Sequence, residues 1–110
     1  IVDAPLRVLD RCRVRWAVVD SVHGDSAVVI GPTLAWAAGR LELGPPCPDV
    51  VRLWRDGRGL VNAVRPGQHV AVHWDWICDR LTPARERQLE RWTRRSLAIT
   101  NDTPTAARLG

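Results

Sequence analysis

Between residues 24 and 67, glycine and proline recur in turn-like clusters, and the segments from residue 11 to residue 77 that flank them largely alternate apolar with polar positions. A chain patterned this way favours strands over long helices there. It can build short strands joined by tight turns, which close most economically into a barrel or sandwich. Residues 11–22 place Cys12, Val14, Trp16 and Val18 on one predicted face and Arg11, Arg13 and Arg15 on the other. His23-Gly24-Asp25 supplies turn chemistry, residues 27–30 form an apolar return strand, and Gly31-Pro32 is expected to stop it. A second hairpin is expected from residues 33–36 and 40–43 around Ala37-Ala-Gly39, where glycine takes a positive φ at no steric cost.

Gly44-Pro-Pro-Cys-Pro-Asp49 carries three prolines in six residues and reads as a loop, because proline donates nothing to a strand ladder. Residues 50–54 and 60–64 read as strands around the turn signal Asp56-Gly-Arg-Gly59. The best-patterned strand is residues 69–77, with Val70, Val72, Trp74 and Trp76 expected inside and His69, Ala71, His73 and Asp75 outside. Only after this does the period change. Thr82 is a predicted N-cap with Pro83 at the first helical position, Leu89, Trp92 and Ile99 form one stripe, and Arg87, Arg91, Arg94 and Arg95 form another. The expected fold is therefore mainly β: a small OB-like barrel with long hairpins and one C-terminal amphipathic helix. Residues 1–10 form a lead-in, 11–99 the barrel and helix, and 100–110 a frayed tail.

At 110 residues the chain has room for one modest core. It contains no Phe, Tyr or Met, so six tryptophans are expected to supply the large core pieces. All sixteen basic residues are arginine, and the net charge of +4 favours an acidic partner. No apolar run reaches membrane-spanning length, and residues 1–9 lack the regions of a signal peptide. Cys12, Cys47 and Cys78 are odd in number and without framework spacing, which fits free thiols in a reducing compartment and hence a cytoplasmic location. The start at Ile1 reads as the C-terminal piece of a longer polypeptide.

Catalytic signals are missing from the sequence. It has no nucleophile elbow, phosphate-cradling glycine loop, CxxC pair or interpretable triad, so a non-enzymatic role is expected. His69 and His73 lie roughly 13 Å apart along a strand and cannot share a metal. The arginine face of the first strand would track phosphates, but it lacks the stacking aromatics that single-strand binding uses, which argues against nucleic acid.

Two segments resemble the signature segments of the HypC/HupF family, small barrels that help build the iron centre of nickel-iron hydrogenases. The first is Cys12-Arg-Val-Arg-Trp-Ala-Val-Val-Asp-Ser-Val-His-Gly-Asp-Ser-Ala-Val-Val29, similar to the family's opening cysteine, apolar strand, glycine turn and return strand. The second is Pro66-Gly-Gln-His-Val-Ala-Val-His73, similar to its "Gly-Asp-x-Val-Leu-Val-His" strand. The resemblance implies an accessory protein that binds a hydrogenase large subunit or another maturation protein. It also implies that an iron unit with cyanide and carbonyl ligands is held in transit by Cys12 and His73, a thiolate and an imidazole suited to iron. Arg11, Arg13, Arg15, Asp75 and Trp76 are the expected partner-facing residues.

The sequence departs from that family in two respects. At least eleven residues precede Cys12, and residues 13–16 replace the family's Gly and Pro. Two other readings remain open at this stage: a structural interaction module without metal, in which Cys12 is a packed thiol and His73 a solvated strand histidine, and an OB-like nucleic-acid-binding domain.

Overall fold

The computed structural model describes residues 13–53 and 64–102. Five strands, β1 (Arg15–His23), β2 (Ser26–Ala37), β3 (Arg40–Arg52), β4 (His69–His73) and β5 (Trp76–Arg80), precede one helix, α1 (Pro83–Asp102). They close into a barrel in the order β1-β2-β3-β5-β4, antiparallel except for the parallel contact of Arg52 on β3 with Trp76 on β5. The OB-like barrel and its C-terminal helix are thus as the residue pattern implies. Of the strands predicted at 50–54 and 60–64, the first is the end of β3 and the second, apart from Val64, lies outside the described residues.

The interior is built from small β-branched and short side chains, not from tryptophan. Ala17, Val19, Ala27, Val29, Val51, Leu53, Val70, Val72 and Ile77 form the core. A five-stranded barrel leaves little room for indoles, and the described rings sit outside it. Among the described tryptophans only Trp16 is buried, on the outer wall; Trp76 is half-buried, and Trp36, Trp74 and Trp92 are exposed.

This arrangement reverses the faces expected for β1. Arg15, Ala17 and Val19 are buried toward the barrel, and Val18, paired with the exposed Ile30, faces out. The expected wet arginine face therefore does not exist as such. Arg15 is buried, whereas Arg13 lies over the Trp16 ring at 5.9 Å and donates from Nη2 to the Pro32 carbonyl at 3.2 Å.

The predicted strand 69–77 is in fact a hairpin. Val70 and Val72 point inward as expected, but Trp74 and Asp75 form the turn between β4 and β5, and Trp74 adopts φ 56°. Trp74 is therefore a turn residue 39% exposed, and Ile77, fully buried, takes the interior place.

Neither Gly31-Pro32 nor the proline-rich segment ends a strand. β2 passes straight through the former, where a Cβ on Gly31 would overlap the Trp16 carbonyl oxygen. The prolines of 44–49 are tolerated because of register. Arg52 N–H points away from β2, donating to Asp75 O at 2.6 Å, and Pro48 and Pro46 share its phase. Their missing donors would have faced the open edge of β3, so no ladder bond is lost. Pro45 falls in a bulge, where β3 has one residue more than β2 between the pairs Pro32↔Pro46 and Leu34↔Leu43. The result is a long β2–β3 arm ending in Ala38-Gly39, both at positive φ.

α1 begins as the sequence predicts. Thr82 Oγ1 accepts from Arg85 N–H at 3.2 Å and Thr82 O from Glu86 N–H at 2.9 Å. It ends later than expected, because Asn101 is anchored instead of frayed: its amide bonds both Leu41 N–H (2.9 Å) and Leu41 O (2.8 Å) on the arm. The face turned to the barrel carries buried Thr93 with half-buried Glu86, Leu89, Leu97 and Asn101. Trp92 and Ile99, expected in the packed stripe, are 66% and 60% exposed.

Candidate functional site at the barrel rim

Antiparallel pairing of β1 with β4 runs through Arg15↔Val72, Trp16↔Ala71, Ala17↔Val70 and Val18↔His69. The two best-patterned segments of the sequence are thereby neighbours, and the start of β1 lies beside the end of β4. Arg15 is the pivot of this rim. Its Nη2 donates to Asp49 Oδ2 at 2.7 Å and to the Trp74 carbonyl at 2.9 Å, tying β1, β3 and the β4–β5 turn together. The Arg15 side chain is 6% exposed and that of Asp49 24%, so the charge is neutralised where water has little access. The Arg15 Nε is buried without a hydrogen-bond partner among the described residues.

Above this pivot, His73 is half-buried with its ring 6.2 Å from that of Trp74 and tilted by 56°. Asp75 is exposed and meets Arg52 Nε at 3.6 Å, while Trp76 is half-buried opposite His73. A shallow cleft of about 520 Å3 next to them is lined by Asp25, Ser26, Val50, Arg52 and Asp75. Among the expected site residues the structure therefore gathers His73, Asp75, Trp76 and, from beneath, Arg15 at one rim. Arg13 lies on the outer wall. Cys12 and Arg11 lie outside the described residues. Among the described residues no three His, Cys, Asp or Glu side chains group as metal ligands.

Sequence reasoning missed Asp49, Arg52 and Trp74. Asp49 was hidden in a segment that reads as loop, and its partner lies 34 residues away. Trp74 interrupts an unbroken alternation, with no glycine or asparagine to announce a positive φ. Cys47 is exposed and Cys78 half-buried. Burial raises the Cys78 thiol above its usual range; the backbone hydrogen bond works against the rise and neighbouring Asp79 adds to it. The second imidazole, His69, bonds through Nδ1 to Glu86 Oε1 at 2.7 Å and fastens β4 to α1. No helix among the described residues is long and apolar enough to cross a membrane.

Fold and rim together define a small closed β-barrel module, braced by one buried arginine and flanked by a helix along its outer wall. Residues 1–107 match the family of unknown function DUF6390, and the chain belongs to that family. No curated protein and no solved structure matches it.

Proposed function

We propose that the chain is an accessory module of nickel-iron hydrogenase assembly, binding a large subunit or a maturation protein and holding an iron unit through Cys12 with His73 assisting. The observation that carries this reading is the adjacency of the two HypC/HupF-like segments as paired strands, which brings His73 level with the entry into β1. His73 lies on the outer side of β4, out of phase with the buried Val70 and Val72. A soft thiolate and a neutral imidazole are a suitable donor pair for a low-spin iron fragment. In this reading the role is one of holding and delivery.

The test is anaerobic purification of the full chain with a co-expressed large subunit, followed by iron analysis and infrared detection of cyanide and carbonyl ligands. The parent is expected to carry iron and partner, and Cys12→Ala to fold but lose both. An alanine variant that co-purifies as well as the parent would remove Cys12 from any chemical role. A second reading, a partner-binding module without metal, is favoured by the apolar trough beside α1. Complete absence of iron in the presence of bound partner would select it.

A further inference from the structure

The most conspicuous feature unused by that proposal lies on the far side of α1. Between the helix and the β2–β3 arm runs an open trough of about 680 Å3, walled by Leu34 and Leu41 from the arm and Leu89, Trp92 and Leu97 from the helix. Its outer lip is apolar and wet, since Trp92 and Ile99 keep most of their surface in water. An exposed indole next to a leucine-lined trough is unusual for an isolated helix face, which normally turns such residues inward.

On the helix ridge next outward from that of Trp92, outside the trough lining itself, runs a row of like charges. Arg87, Arg91 and Arg95 follow one another at i, i+4 spacing, all exposed, and among the described residues none of the three has an ion pair. By contrast, Arg85 reaches Asp79 and Arg94 reaches Glu90. Like charges at this spacing oppose helix formation, and the row is not placed in the last turn where the helix dipole would favour it. The row costs the free protein stability and is relieved by an opposing acidic surface.

We propose that this trough and its arginine row form a docking surface for an amphipathic helix of a partner protein, one with a leucine-type face and an acidic flank. Independent of the Cys12–His73 reading, the inference rests on two complementary features. The trough needs aliphatic side chains to fill it, which a nucleic acid does not have. The arginine row needs carboxylates, and a second copy would instead set one such row against another. Helix-in-groove recognition uses this combination of apolar anchors at i, i+3, i+4 and i+7 with charge on the flank.

The experiment titrates the full chain against a fluorescein-labelled 18-residue helical peptide with leucines at that spacing and glutamates elsewhere. Its lysine counterpart and an 18-nucleotide single-stranded DNA run beside it. The glutamate peptide is expected to bind and the lysine peptide to bind at least about tenfold more weakly. Trp92→Ala and the pair Arg91→Glu with Arg95→Glu, all at exposed positions that leave folding intact, are each expected to weaken the glutamate peptide about tenfold or more. Equal binding of both peptides, binding of neither, or indifference to Trp92→Ala overturns the proposal. So does DNA that displaces the glutamate peptide, or a concentration-dependent dimer abolished by Trp92→Ala.

Discussion

Replacing Arg15 by methionine keeps most of the apolar stem in the barrel end and removes the guanidinium that joins three elements. Two things are then left behind: the Asp49 carboxylate, three-quarters covered, and a Trp74 carbonyl without its donor. Breaking one side of a fully buried ion pair costs about 3–5 kcal/mol. Because Asp49 keeps some contact with water, we expect about 2–3 kcal/mol for Arg15→Met, with part of it the lost bond to Trp74 O. For a domain of this size that is a fall in Tm of roughly 10–20 °C. Asp49→Leu alone strands the arginine and should cost a similar amount. The double variant Arg15→Met with Asp49→Leu leaves no buried charge, and its loss should be at least about 1 kcal/mol smaller than the sum of the singles. Thermal and urea melts of the four proteins give this cycle directly. Strict additivity would mean that the 2.7 Å contact is not an energetic pair, and an unchanged melt for Arg15→Met would refute the burial of Arg15 altogether.

Ile77→Ala, in the fully buried core, should cost about 2–5 kcal/mol in a urea melt, whereas Trp74→Ala in the exposed turn should cost under about 1.5 kcal/mol; the reverse order would put the indole inside the barrel. Burial that raises the Cys78 thiol in the fold means the unfolded thiol ionises first. That contribution to stability is therefore complete below the unfolded thiol's pKa and is lost as pH rises toward the folded one, a loss that Cys78→Ser should abolish in alkaline melts. At neutral pH, iodoacetamide followed by peptide mapping should modify exposed Cys47 well before Cys78, and equal rates would contradict the placement of Cys78.

What could be read from the residues alone was local. The turn at Gly24, the turn at Ala38-Gly39 and the Thr82-Pro83 start of α1 each depend on two or three neighbouring residues, and each stands where the pattern puts it. Longer-range features were not legible. The inward face of β1 begins with an arginine, which alternation assigns to solvent until Asp49 is known to wait for it across the sheet. The prolines of β3 are harmless only because of the register that Arg52 makes with the β4–β5 turn. The indoles look like core until the described ones prove to lie outside a barrel filled by small side chains. At the candidate site, the outward placement of His73 followed from alternation, but the brace beneath it, Arg15 with Asp49 and the Trp74 carbonyl, joins residues too far apart in sequence for any pattern to connect.

The outer border of the β2–β3 arm has a consequence for how this protein meets others. Pro46 and Pro48 offer a neighbouring chain no amide hydrogen, the Asn101 amide already occupies both backbone groups of Leu41, and Asp75 takes the hydrogen of Arg52. An extended peptide laid along that border would find acceptors with too few donors between them, so the sheet resists being lengthened from outside. Contacts made by the arm must then be read through side chains such as Leu34 and Trp36. The β3 border of the arm is thereby guarded against strand-to-strand pairing with other copies.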